Sequence, residues 1–342
     1  MSPLRVLLSN DDGPPGHESP YVYGLYVKMK SLGWDVKVVI PSSQKSWIGG
    51  AHQILGAVNG KFYYPRDPAG MGETSNISRP LKEGEVGEWI LLDATPATCT
   101  NIALFNIYPG EIDLVVSGPN FGRNTSTVFS LASGTIGAAL SSAVAGTRSI
   151  ALSYGTMVHP TPAEWCDPAH ELSIKIISKL WSNWGTDELG LRNGEVDLYN
   201  VNVPMVESLL REGELEVVWT RMWRNSSNQL FKRLSTEEKV QHKVLGTTQN
   251  SGSNLHLPSP PPIDVDAKPG SLGFYFSPKL QGVLHPNMDT LPEGTDAWAI
   301  HTGRVSVTPL RAGFAEPGDE SMAFGGGSAP HSQGATERLW KL

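Results

Sequence analysis

Two carboxylates, Asp11 and Asp12, stand side by side where the apolar run from Leu4 to Leu8 stops, in the order Ser9-Asn10-Asp11-Asp12-Gly13. Adjacent like charges repel, and burial adds a desolvation cost, so something must compensate. Further oxygen donors follow other apolar runs. Ser42, Ser43 and Ser46 lie beyond Val36 to Ile40, and Ser117 and Asn120 lie beyond Ile112 to Val116. Carboxylates, hydroxyls and an amide are hard ligands, suited to Mg²⁺ or Mn²⁺ rather than to zinc or copper. A divalent cation would also offset the repulsion between Asp11 and Asp12. Ser133-Gly134-Thr135 opens a small-residue helix, whose free N–H groups and positive dipole end suit a phosphate. Cation and phosphate site together point to hydrolysis of a phosphate ester by metal-activated water. Taken singly, each piece has a plainer use: paired aspartates cap turns and helices, and glycine-rich helices pack closely on sheets. Their placement at one edge of one sheet is what joins them.

The elements that must hold these residues alternate in type. Leu4 to Leu8 reads as a buried strand, Tyr21 to Leu32 as a helix stopped by Gly33, and Val36 to Ile40 as a second strand closed by Pro41. This is β-α-β, which implies a parallel sheet. Trp89 to Leu92 is a further strand, Ala97 to Asn106 a helix and Ile112 to Val116 a strand. A helix from Ser133 to Ala145, a strand from Ser149 to Ser153, a helix from Ala163 to Trp184 and a strand from Leu198 to Val203 follow. Continuous apolar strands fit burial on both faces, and the pattern is that of an open, doubly wound α/β sheet. In such sheets ligands bind beyond the carboxyl ends of the strands, where the oxygen donors fall.

The rest of the chain reads differently. Tyr64 to Gly87 is an excursion without strong periodicity. Leu215 to Leu234 reads as a hairpin with Asn225-Ser226-Ser227-Asn228 at its tip, and Thr247 to Gly270 as a Ser/Pro/Gly-rich loop. Asp296 to Leu310 reads as two short strands around Thr302-Gly303, and the tail from Ala315 as disordered. The expected organisation is a single domain over 1–314, with a core over about 1–205, a hairpin and extension over about 206–314 and a tail over 315–342.

Bulk properties exclude several classes. The net charge of −7 leaves no overall basic field for polymeric nucleic acid or an anionic membrane. Two distant cysteines, Cys99 and Cys166, make neither a disulfide framework nor a thiolate zinc site. No run approaches the length of a membrane span and nothing resembles a signal peptide, so a cytoplasmic location is expected. The sequons at Asn76, Asn124 and Asn225 then read as chance matches.

LRVLLSNDDG, VVIPSSQKS, ATPATC, DLVVSGPNFGRN, SGTIGAAL, LYNVNVP and TDAWAIHTGRVSVTPL occur in the order seen in the SurE survival-protein family, which the chain resembles from about Leu4 to Leu310. The resemblance implies a Rossmann-like three-layer αβα fold with a mainly parallel sheet and a C-terminal β-hairpin extension. It also implies a metal-dependent 5'/3'-nucleotidase or acid phosphatase, with Mg²⁺ or Mn²⁺ as cofactor, assembled as a homodimer or homotetramer. By motif, the metal ligands would be Asp11, Asp12, Ser46 and Asn120. Asn10, Asn124, Ser133, Gly134 and Thr135 would lie near the phosphate. Asp11 and Asp12 are the candidate catalytic residues, with Asp11 the better placed to orient or deprotonate water. Lys45, Arg123 and His52 are candidates for balancing charge on the leaving group. Ala94-Thr95-Pro96-Ala97-Thr98-Cys99 stands where the family has GTPADC, which alters the pocket wall without touching the metal ligands. The Tyr64–Gly87 and Thr247–Asn287 stretches exceed the compact bacterial pattern and resemble the longer eukaryotic, especially fungal, members.

Competing chemistries lack their motifs. There is no D-x-D at the first strand, no acceptor aspartate after IDLVV, no G-x-S-x-G and no G-x-G-x-x-G after strand one. The alternative that stays open is a non-catalytic nucleotide-binding module that keeps the phosphate cradle.

Overall fold

Apolar runs buried on both faces become the inner strands of the sheet. The computed structural model describes residues 3–233 and 272–314. β1 (Arg5–Ser9), α1 (Val22–Ser31) and β2 (Asp35–Pro41) form the opening β-α-β unit. β3 (Gly60–Pro65) and β4 (Gly72–Ser75) follow, then β5 (Trp89–Leu92) and α2 (Pro96–Ile102), which runs on into a π-helical turn at Ala103–Ile107. β6 (Leu114–Phe121), α3 (Ser126–Ala132), α4 (Gly134–Val144), β7 (Arg148–Thr156), α5 (Cys166–Ser182) and β8 (Leu198–Met205) complete the alternation. β9 (Val217–Trp219), β10 (Phe231–Arg233), β11 (Phe274–Phe276), α6 (Gln281–Leu284), α7 (Asp296–His301) and β12 (Val305–Leu310) belong to the extension.

The main sheet has ten strands in the order β4-β3-β5-β2-β1-β6-β7-β8-β12-β9. From β5 to β8 every pairing is parallel. β3 and β12 run antiparallel to the strands on their inner sides, β5 and β8. This is the Rossmann-like α/β architecture. Alternate residues of each strand feed opposite cores. Val6 and Leu8 pack with Leu25 and Met29 of α1 and Ile177 of α5, whereas Leu7 packs with Val39, Cys99 and Val115 on the α2 face. The chain winds from β1 outward through β2, then returns to place β6 on the other flank of β1. The reversal between β1 and β6 is a topological switch point, where a crevice opens at the strands' carboxyl ends.

Four expectations are revised. Tyr64–Gly87 is not featureless: β3 and β4 form an antiparallel pair there, Phe62 opposite Ser75. Leu215–Leu234 is not a hairpin. β9 joins β12 in parallel and β10 pairs with β11, because Val305–Val307 and Phe274–Phe276 offer longer-range partners than the local chain does. Asp296–His301 is a helix rather than a strand. The Thr295 side chain caps it by accepting from the Trp298 N–H, and Gly303 ends it with a positive φ of 73°. β6 runs on past Val116 through Ser117-Gly118-Pro119-Asn120 to Phe121. The Thr247–Gly270 loop and the tail from Ala315 lie outside the described residues. The described residues up to Ala312 form one compact unit.

Candidate active site

Three segments meet at the switch point: the turn after β1, the loop after β2 and the end of β6, with the start of α4 beneath them. Asp11 and Asp12 are each only 3% exposed. Their turn is built by Asn10, whose Nδ2 donates to the Gly13 carbonyl at 2.8 Å and to Ser19 Oγ at 3.1 Å, while its Oδ1 accepts from the Gly13 N–H. Asn10 is therefore engaged in holding the turn rather than facing outward. A Cβ on Gly13, at φ +85°, would meet Ser43 backbone at 3.2 Å, so the turn and the β2 loop are in contact there. The Lys45 N–H seals the junction by donating to the Asp11 carbonyl at 2.7 Å.

Asp11 caps α4. Its Oδ1 accepts from the Thr135 hydroxyl at 2.5 Å, and the N–H groups of Gly134 and Thr135 also donate to its carboxylate. The helix start that suits a phosphate thus already holds an anion, the Asp11 carboxylate. Burial pushes the Asp11 carboxyl above the usual range, and these hydrogen bonds pull it back. Ser133 serves the same helix from outside, its Oγ accepting from the Ile136 N–H at 3.1 Å.

Asp12 is held from β6. Between Ser117 and Asn120 the register against β7 shifts, β6 spending three steps where β7 spends two. This bulge depends on Gly118, at φ +123°, where a Cβ would stand 2.1 Å from the Leu152 carbonyl oxygen. Its result is that the Phe121 N–H turns to Asp12 Oδ2 at 2.7 Å. The Gln44 side chain supplies a second hydrogen bond to Asp12. Burial raises this carboxyl well above its ordinary value, and the charge of Asp11 raises it further.

Among the described residues no lysine or arginine forms an ion pair with either carboxylate. Gln44 Oε1, on the amide that bonds Asp12, is buried without a hydrogen-bond partner. Two buried carboxylates, an orphaned amide oxygen and the partly buried Ser46 and Asn120 fit a hard divalent cation. Asn120 uses its Nδ2 on the Gly122 carbonyl at 2.7 Å, so its Oδ1 is the atom suited to a metal. Among the described residues no group of three or more His, Cys, Asp or Glu converges.

Other sequence candidates sit elsewhere. Asn124 is buried, its Nδ2 donating to Ser153 Oγ at 2.9 Å and its N–H to Asn202 Oδ1 at 2.7 Å. A sequon there has no free amide. Lys45 Nζ lies 4.0 Å from Asp93, and His52 Nε2 lies 3.2 Å from Ser141 Oγ. Arg123 turns to the extension, donating to the carbonyls of Leu284 at 2.7 Å and Val283 at 3.4 Å. Burial pulls its guanidinium down to about 10, with Asp296 opposing. Gln44 and the Phe121 N–H were not singled out from the sequence. Gln44 lies in the loop already marked by its serines, but the N–H depends on the bulge.

An open, mainly parallel α/β sheet with a buried acidic pair at its switch point defines a class of small-ligand proteins. A family model described as Survival protein SurE matches residues 6–229, and the chain belongs to that family. The 5'-nucleotidase SurE of Archaeoglobus fulgidus is 28% identical, the match covering 90% of this chain and 91% of that protein. A probable tubulin–tyrosine ligase of Saccharomyces cerevisiae, PBY1, is 31% identical across 91% of this chain, which spans 41% of that protein's length. The crystal structure of the SurE protein from Aquifex aeolicus shares the fold, with a TM-score of 0.56, 21% identity, and coverage of 91% of this chain and 94% of that one.

Proposed function

We propose that this chain is a metal-dependent phosphomonoesterase that hydrolyses nucleoside monophosphates. The observation that carries the reading is the buried Asp11–Asp12 pair, which has no lysine or arginine ion-pair partner among the described residues and lies at the switch point beside hard oxygen donors. The family's 5'-nucleotidase members support the substrate class. Asp11, Asp12, Ser46 and Asn120 would hold Mg²⁺ or Mn²⁺. When bound, such a cation supplies Lewis acidity toward a phosphoryl oxygen and makes a water acidic enough to attack near neutral pH.

The chain's own residues supply position and proton handling. Thr135 and the start of α4 fix the Asp11 carboxylate, and the Phe121 N–H and Gln44 fix that of Asp12, so both are preorganised at little cost during reaction. One Asp11 oxygen accepts from Thr135, and the carboxylate is the group suited to orient water and take its proton. Water adds to phosphorus, the ester P–O bond breaks, and the leaving alkoxide takes a proton to become an alcohol beside inorganic phosphate.

The test is phosphate release from AMP and p-nitrophenyl phosphate with chelator, Mg²⁺ or Mn²⁺, for wild type and Asp11→Asn. Metal-dependent release that Asp11→Asn loses while remaining folded is the expected outcome. Full activity in Asp11→Asn would overturn the assignment. Tight nucleotide binding without release would move the chain to the binding-module reading. Exposed Trp219 on edge strand β9 and exposed Phe231 and Phe274 on the β10–β11 pair support a homodimer or homotetramer, which sedimentation would test.

A further inference from the structure

Trp47 is an aromatic residue in the wrong backbone region. Its φ is +62°, a left-handed conformation that bulky side chains rarely adopt. Strain of this kind persists where the surroundings over-determine it, and it gathers at ligand sites. The neighbours of Trp47 in the chain both belong to the acidic site. Ser46, before it, is a candidate metal ligand. Ile48, after it, lies with Asp11 around Gly134, a Cβ on which would meet Asp11 Oδ2 at 2.9 Å and Ile48 Cγ2 at 3.0 Å.

The ring is braced by residues from far along the chain. It meets Phe276 of β11 at 5.1 Å between centroids, with planes at 65°, and Phe129 of α3 at 6.2 Å and 82°. Phe231 of β10 stands 5.6 Å behind Phe276. Beneath them Phe129, Leu280, Val283 and Leu284 form a small buried core. Trp47 itself stays partly exposed, as does Phe276. Edge-to-face contacts engage a ring without covering both of its faces. Trp47 packs against this core on one side and keeps part of its surface open, in the residue next to Ser46.

We propose that Trp47, braced by Phe276, is the platform on which the aromatic base of the substrate stacks while its phosphate lies at the Asp11–Asp12 pair. The proposal rests on the reading above that the site takes nucleoside monophosphates, and it assigns what discriminates them from simple sugar phosphates. Stacking tolerates any base because every base has a π-face, so the platform selects for a nucleoside without choosing among bases. Base–aromatic stacking is worth roughly 5- to 150-fold in affinity.

The experiment compares AMP with ribose 5-phosphate on the full chain, with Mn²⁺ present, by equilibrium dialysis and by kcat/KM. Wild type is expected to prefer AMP by about 10-fold or more. Trp47→Gly, which suits the left-handed backbone, and Phe276→Ala on the exposed strand pair should each shrink that ratio, Trp47→Gly toward one. Trp47→Phe should restore most of it. No preference in wild type, or a ratio unchanged in Trp47→Gly, overturns the platform; equal losses on both ligands would mean that Trp47 only positions Ser46. A retained binding preference without any turnover sinks the hydrolase reading and leaves the platform standing. Turnover of both ligands at equal efficiency does the reverse.

Discussion

Replacing Gly134 by alanine tests whether the start of α4 and Asp11 form one rigid unit. Gly134 has no positive φ, so its backbone does not demand glycine, and alanine should favour the helix by up to about 1 kcal/mol. Space opposes it. The added methyl would stand 2.8 Å from Asp11 Cβ, 2.9 Å from Asp11 Oδ2 and 3.0 Å from Ile48 Cγ2. Against an ordinary carbon contact of about 3.5 Å or more, the shortfall is at least ~0.5 Å on two sides. Ile48 is partly exposed and can swing away, but Asp11 is tied to Thr135 and to the turn. Overpacking of this size costs about 1–3 kcal/mol, leaving a net loss of about 0–3 kcal/mol after the helix gain. The protein should remain folded while Asp11 is displaced by several tenths of an ångström. A misplacement on this scale is expected to reduce metal-dependent kcat/KM for AMP by about 10- to 100-fold. Gly50→Ala is the control, since its Cβ would meet nothing closer than 3.8 Å. The assay is phosphate release beside urea unfolding of the same samples. Gly134→Ala within threefold of wild type, with an unchanged urea midpoint, would refute the argument that Asp11 sits against the helix.

Further outcomes follow from the same packing. Gly137→Ala would place a Cβ 2.2 Å from the Gly49 carbonyl oxygen, a backbone atom that cannot step aside. It should cost about 2 kcal/mol or more, and activity should fall with the displaced loop; an unchanged urea midpoint would count against this contact. Thr135→Val removes the 2.5 Å bond to Asp11 and leaves a buried carboxylate short of one donor, so a loss of about 1.5–3 kcal/mol is expected in urea melts. His170 is buried against Gly24, with Nδ1 2.9 Å from the Tyr154 hydroxyl, and burial lowers its pKa to about 4 from 6.5. The unfolded chain takes up that proton below about pH 6.5 and the folded chain only near 4, so the His170 contribution to stability should fall as pH drops across this window, by roughly 3 kcal/mol. His301, also lowered to about 4, adds to this slope, and Asp11 and Asp296, raised to about 6, oppose it. His170→Asn should therefore change the slope of the urea midpoint between pH 6.5 and 4.5 by the His170 share, and an unaltered slope would reject that share.

Much of this molecule is decided by chain-local chemistry. Apolar runs such as Val6–Leu8 and Leu114–Val116 can be satisfied only as strands covered on both faces, so a doubly wound sheet follows from their alternation with helical segments. The oxygen donors then fall at or just beyond the strands' carboxyl ends, Asn120 near the end of β6 and Ser46 in the loop after β2, and it is the resemblance to the family's motif that singles out Asp11, Asp12, Ser46 and Asn120 among them. What tertiary structure decides is which atom meets which. That the Asp11 carboxylate bonds Thr135 at the start of α4, and that Asn10 turns inward to Gly13 and Ser19, depends on distances through space that no spacing encodes. Asp296–His301 carries the short apolar run Ala297–Ile300, which alone does not tell strand from helix, yet the Thr295 cap makes it helical. The bulge that aims the Phe121 N–H at Asp12 exists because Gly118 lies against Leu152 of the adjacent strand. The aromatic brace on Trp47 comes from Phe276, on the far side of the core in sequence. Hydrophobic periodicity is a property of neighbours along the chain, whereas hydrogen-bond choice and ring packing belong to neighbours in space, and only the folded chain brings those together.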